Sequence, residues 1–240
     1  MISVIVPVIN EEKLLGRMLE QFSPELVREF DLEIIVSDGG STDCTLEIAR
    51  RYAHKVIENT QGTKQTISIG RNIGAHHAGG DVLIFLNADT LIGDPVHFLR
   101  RFLDELQHPG VAALTCRVEV YPEEQRWIDQ VFHSFYNWFF ERMNDVGIGM
   151  GRGECHVVPR GAFEGIHGYS PRIAAGEDYD LFNRLGKVGR IGYLEDVVVY
   201  ESPRRYRKYG YAYVTASWFL NFVAIALLRR SILSEWRPVR

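Results

Sequence analysis

The stretch Leu32–Tyr52, LEIIVSDGGSTDCTLEIARRY, decides the architecture. Leu32–Ser37 is short and nearly all apolar, as a strand covered on both faces must be. Ser41-Thr42-Asp43 then offers hydroxyl and carboxylate groups to cap a helix over Cys44–Tyr52. Between strand and helix lies a polar turn, Asp38-Gly39-Gly40. Strand, polar turn and helix make one α/β unit.

The same unit recurs outward along the chain. Ser3–Pro7 reads as a strand, followed by the turn Pro7-Val8-Ile9-Asn10-Glu11-Glu12. Glu11–Phe22 then places Leu14, Leu15, Met18, Leu19 and Phe22 at helical spacing. Lys55–Glu58 is a third strand, Gln65–Ala78 a helix and Asp81–Leu86 a fourth strand ending at Asn87-Ala88-Asp89. Pro95–Leu106 reads as a helix, Val111–Val120 as a strand, and Tyr193–Tyr200 as the last strand. Apolar strands alternating with helices predict a mostly parallel central sheet with helices on both faces. Right-handed crossovers put the strand carboxyl ends on one edge, where ligands bind. The polar turns after the first, second and fourth strands should therefore meet in one crevice.

Composition bounds the alternatives. The 240 residues are 46% hydrophobic and 24% charged, enough for one domain with a sizeable core. A net charge of −4 speaks against a nucleic-acid binder. Three scattered cysteines, Cys44, Cys116 and Cys155, suit neither a zinc site nor a disulfide framework, and point to a reducing compartment. The Met1 end shows no leader pattern, so a cytoplasmic location is expected. The first turn lacks GxGxxG, and neither GxxxxGK[ST] nor GxSxG occurs.

The blocks SVIVPVINEE, EIIVSDGGSTDCT, GRNIGAHHAGGDVLIFLNADT and GEDYDLFNRLGKVG stand in an order and spacing that resembles the family 2 glycosyltransferases of GT-A fold. The likeness covers about residues 1–205 and includes polyprenyl-phosphate sugar transferases. It implies a UDP- or GDP-sugar donor, a divalent metal (Mg²⁺ or Mn²⁺), and inversion at the anomeric carbon. It also implies where the chemistry sits. Pro7, Val8, Asn10, Glu11, Asp38 and Gly39 would meet the nucleoside, with the Asp38 carboxylate accepting a base N–H. Arg71 would meet the diphosphate. Asn87-Ala88-Asp89 occupies the metal-binding DxD position, with Asp89 as metal ligand; Asn87 departs from the pattern and brings no charge. Asp178 would be the base, with Glu177 beside it. Arg204 and Arg205 would close over phosphate.

The second half adds an aromatic excess. Arg126–Met143 reads as an aromatic-rich helix. Gly147–Glu154, with Arg152 at its centre, has the composition of a mobile loop that contacts acceptor or phosphate. Tyr211–Leu228 is an apolar helix flanked by Arg204–Lys208 and Arg229-Arg230. Three placements compete for it: on a membrane surface, across a membrane, or buried at a core or homo-oligomer contact. Residues 1–205 thus read as the catalytic domain and 206–240 as an extension. The acceptor would be a sugar or a lipid phosphate, met at the cytoplasmic face of a membrane in the second case. A sugar nucleotidyltransferase would need a glycine-rich basic first loop, which PVINEE is not. A non-catalytic nucleotide-sugar-binding module is the alternative that Asn87 keeps open.

Overall fold

A computed structural model describes residues 1–60, 62 and 65–228, the last three as backbone only. The elements run β1 (Ile2–Val8), α1 (Leu15–Glu20), α2 (Pro24–Glu29), β2 (Leu32–Asp38), α3 (Thr45–Tyr52), β3 (Lys55–Glu58), α4 (Ile67–His77), β4 (Val82–Leu86), β5 (Leu91–Ile92) and α5 (Pro95–Leu106). They continue with β6 (Val111–Val120), α6 (Trp127–Asp145), β7 (Cys155–Pro159), α7 (Arg160–Gly165), α8 (Glu177–Leu185), β8 (Arg190–Glu201), α9 (Arg204–Tyr209) and α10 (Tyr211–Leu228).

One eight-stranded sheet has the order β3-β2-β1-β4-β7-β6-β8-β5. Parallel ladders join β3-β2-β1-β4, and β6 to β8. The alternation of strands and helices foretold that parallel half. It did not foretell β7, which lies antiparallel to β4 on one side and to β6 on the other. The antiparallel edge strand β5, two residues long, pairs with β8.

Successive side chains of each strand point to opposite faces. Val4, Val6, Ile34, Val36, Ile84 and Leu86 enter one core, with Leu15, Met18, Leu19, Phe98 and Phe102 of the helices. Ile5, Leu83 and Phe85 enter the other, with Tyr169, Leu181, Phe182 and Leu185. The capping expected from Ser41-Thr42-Asp43 is not seen at the N-cap of α3, which is Cys44 with no side-chain bond; α5 and α4 are capped by side chains instead. The Asp94 side chain accepts from the His97 N–H at 3.0 Å, with Pro95 in the first turn, and the Thr66 side chain accepts from the Ile69 N–H.

The direction of β7 governs the site. Its first residue, Cys155, pairs with Leu86 at the carboxyl end of β4. The chain entering β7 therefore delivers Glu154 to the edge where β1, β2 and β4 end. β8 runs with β6, so Glu201 finishes at that edge too.

Candidate functional site

The first two loops are built as one piece. Asn10 adopts a left-handed backbone (φ 50°), a conformation that Asn tolerates better than most residues. Its N–H donates to Ser41 Oγ at 2.8 Å, and its Oδ1 accepts from the Thr42 N–H at 2.6 Å. The Glu11 N–H donates to Thr45 Oγ1 at 2.8 Å, and the Cys44 N–H donates to Glu12 at 3.1 Å. Asp38 is the anchor of the second loop. Its carboxylate accepts from the N–H groups of Gly40 and Ser41 and from Ser41 Oγ.

These loops wall a crevice of about 450 Å³. Of the residues anticipated from sequence, Pro7, Val8, Glu11, Gly39, Asn87, Ala88, Asp89, Arg204 and Arg205 line it. Arg204 crosses it. Its two terminal nitrogens each reach a Glu11 carboxylate oxygen at 2.8 Å, and one lies 3.2 Å from Asp89. Burial, with the neighbouring Glu11 and Glu154 charges, pushes the Asp89 carboxyl up to about 6, against the pull of Arg204. Tyr121 O–H donates to the Asp89 carbonyl at 2.6 Å and fixes that turn.

Other anticipated residues lie behind the wall. Asn10 and Asp38 spend their side-chain acceptors within the loops. Arg71 was expected to face a diphosphate, yet its side chain has 0% exposure. It donates to Glu177 at 3.0 Å, to Asn87 Oδ1 at 2.9 Å and to the Gly153 carbonyl at 2.6 Å. The whole RNxG motif is structural here. Asn72 makes two bonds to the backbone of Tyr169, and a Cβ on Gly74 would come within 2.4 Å of Ile5. The guanidinium thus ties the third and fourth sequence blocks and the glycine-rich segment between them into one hub. Asn87, uncharged where an acid was expected, fits this: its Oδ1 is already held by Arg71.

Arg152 also differs from expectation. Instead of tipping a mobile loop, its side chain is buried, bonded to Glu201 at 2.6 Å and to His133 at 3.0 Å. Burial and the Arg152 charge keep His133 neutral, pushing it down to about 2. Gly149 and Gly151 are pressed onto Phe182 of α8, where any Cβ would clash. The segment is a packed strut.

Asp178 stands beside the hub in the first turn of α8, half-buried. Burial first, then the neighbouring Glu177 charge, push its carboxyl up to about 7. A Cβ on Gly153 would lie 3.6 Å from Asp178 and 4.0 Å from Asn87. Arg71 Nη2 would lie 3.8 Å from the same Cβ, and neither Gly153 nor Asp178 lines the crevice wall.

Sequence reasoning missed Ser37, Gln65, Thr66, Glu154, Glu201, Tyr206 and Trp218 on the crevice wall. The signal for Glu154 and Glu201 was the strand-end rule, once β7 is known to be antiparallel. Glu154 Oε2 is buried without a hydrogen bond, with Arg152 Nε at 3.4 Å. Oxygen donors at Asp89 and Glu154 suit a hard divalent cation. Among the described residues, three potential ligand side chains are not gathered into a ready-made site.

The aromatic excess divides in two. Phe132, Tyr136, Tyr206, Tyr211 and Trp218 stack together between α6, α9 and α10. Trp127, Val131, Phe135 and Trp138 instead form an exposed stripe on α6, with Phe219 and Leu220 exposed on α10. Among the described residues no helix is long and apolar enough to cross a membrane. Arg229-Arg230 lie outside the described residues.

Comparison with known proteins agrees with the geometry. The family described as "Glycosyl transferase family 2" matches residues 3–166. Succinoglycan biosynthesis protein ExoA of Rhizobium meliloti (strain 1021) is 24% identical, over 98% of this chain and 75% of its own length. The mannosyltransferase PcManGT from Pyrobaculum calidifontis, solved with GDP-Man and Mn²⁺, superposes with a TM-score of 0.76 at 22% identity. That match covers 94% of this chain but 64% of the other. S. aureus TarS 1-349, solved with UDP, gives a TM-score of 0.62 at 19% identity, over 98% of this chain and 67% of the other. The likeness establishes a GT-A fold; the chain spans about two thirds of both solved neighbours.

Proposed function

The chain belongs to glycosyl transferase family 2, and we propose that it moves a sugar from a UDP- or GDP-sugar to an acceptor oxygen on a sugar or a lipid phosphate. One observation carries this reading: the ends of β1, β2, β4 and β8 and the start of β7 meet in a single crevice that sets Glu11 and Asp89 around Arg204. In this reading residues 1–205 are the catalytic domain. The Gly39 end takes the nucleoside, and Pro7, Val8, Asn87 and Ala88 form the walls along the donor. Arg204, which pairs two carboxylates when no donor is present, turns to the diphosphate together with Arg205. Asp89 and Glu154 would hold Mg²⁺ or Mn²⁺, whose chemistry is to offset charge on the departing nucleoside diphosphate.

Asp178 acts as the base. With a sugar acceptor it takes the hydroxyl proton as that oxygen bonds to the anomeric carbon; an anionic lipid phosphate brings no such proton, and Asp178 then only orients it. The bond from that carbon to the diphosphate breaks, and its electron pair leaves with the nucleotide, inverting the centre. A carboxyl with its proton affinity raised by burial is suited to proton transfer near neutral pH. Glu177, held by Arg71, keeps Asp178 in place. Trp218 and Tyr206 cover the crevice against water. In this reading residues 206–240 are the acceptor-side extension, and its exposed Phe219 and Leu220, with the exposed stripe of α6, would rest on the cytoplasmic face of a membrane or against a second copy.

The test is a binding and turnover screen of UDP-, GDP-, CDP- and ADP-sugars by calorimetry and released nucleotide, with Mn²⁺, Mg²⁺ or chelator. Binding of a UDP- or GDP-sugar with slow hydrolysis is expected. Failure of every donor to bind would sink the reading.

A further inference from the structure

At its Gly39 end the crevice has two polar groups that folding leaves without hydrogen-bond partners. Ser37 Oγ and Gln65 Oε1 are both buried and neither makes a hydrogen bond. Both residues line the crevice at its Gly39 end. The space they face is kept clear by two glycines. A Cβ on Gly39 would lie 3.6 Å from Gln65 Oε1, and one on Gly70 would lie 3.8 Å from Ser37 Oγ and 3.9 Å from Gln65 Nε2. Pro7, Ile9 and Ile67 supply apolar wall around the same space. Flat apolar walls with one polar edge are what a planar heterocycle requires.

Asp38 was the expected acceptor for the base, but its carboxylate already holds the N–H groups of Gly40 and Ser41 and the Ser41 hydroxyl. Glu11 is held by Arg204. The carbonyl acceptor at this end that folding does not use is the Gln65 amide oxygen. A buried acceptor left without a donor is costly, so a ligand that brings an N–H gains more there than at a solvated group.

We propose that Gln65 is the residue that reads the donor base, its Oε1 accepting the ring N–H of uracil (N3) or guanine (N1) while Ser37 Oγ donates to a carbonyl beside it. This rests on the donor-site reading above and refines it. Uracil at N3 and guanine at N1 share the N–H flanked by a carbonyl; cytosine and adenine have a bare ring nitrogen there. Asp38 acts one step back, shaping the loop that carries Gly39.

The test is calorimetry on the full chain with UDP, GDP, CDP and ADP, and with N3-methyl-UDP and N1-methyl-GDP. Wild type is expected to bind UDP or GDP best and to lose about tenfold or more on N-methylation. Gln65→Ala should weaken the unmethylated nucleotide about tenfold and be far less sensitive to the methyl group; circular dichroism melting checks that the variant is folded. Preference of wild type for CDP or ADP overturns the proposal. So does full affinity in Gln65→Ala, or an N-methyl penalty as large in the variant as in wild type. If wild type binds no nucleoside diphosphate at all, the donor-site reading itself fails. UDP and GDP, compared directly, separate the two bases.

Discussion

Two arginines with the same charge do opposite work. Arg71 is sealed at 0% exposure and bonded to Glu177, Asn87 and the Gly153 carbonyl. Arg204 is 25% exposed and grips Glu11 and Asp89 from the rim of the crevice. The first cannot leave without stranding a buried carboxylate. The second can trade its partners for phosphate, because water and solvated groups lie beside it. Burial thus sorts a structural cation from an exchangeable one.

Breaking the hub should have the largest effect. Arg71→Met leaves Glu177 buried without its partner, a change that costs roughly 3–5 kcal/mol in comparable buried pairs. At this chain length that lowers the melting temperature by about 10 °C or more, read by calorimetric or circular-dichroism melting. A melting point within 2 °C of wild type, taking roughly 2–4 °C per kcal/mol, would show that the hub carries little load.

The acid beside the hub comes next. Asp178→Asn is expected to cut turnover at least about a hundredfold, the usual scale for losing a positioned base, while donor affinity persists. The same group sets a pH limb. Because its carboxyl is raised to about 7, the ionised base is present above that pH and is lost as pH falls through it. From pH 7 to 6 the rate should drop about fivefold by simple titration, and the residual rate of Asp178→Asn should lack that limb. A pH profile shared by both proteins would remove Asp178 from the role.

The rim arginine should matter least to stability. Arg204→Ala is expected to change the unfolding free energy by about 1 kcal/mol or less, as partly exposed pairs do. Its effect should appear instead in donor affinity. Loss of stability equal to that of Arg71→Met would erase the distinction between the two.

The parallel half of the sheet was legible because strands buried on both faces must be apolar throughout, as in Val4–Val6 and Ile34–Val36. The crevice followed from three polar strand ends. Arg71 was misplaced for a physical reason: a sequence shows charge but not burial, and its three partners come from residues 87, 153 and 177. Strand β7 was hidden because Cys155–Pro159 is five residues long and follows four glycines that read as a loop. Missing it also concealed Glu154 and Glu201. Gln65 was read only as the start of a helix; nothing local shows that its amide faces two glycines.

The stitching of Asn10, Glu11 and Glu12 to Ser41, Thr42, Cys44 and Thr45 has a consequence for affinity. A loop that must be frozen by its ligand gives back part of what each contact gains, about 0.5–1.5 kcal/mol for each side chain immobilised. Here the two loops restrain each other before any ligand arrives. That wall loses little conformational entropy on binding, so even a modest number of contacts to a nucleotide can be expressed almost in full.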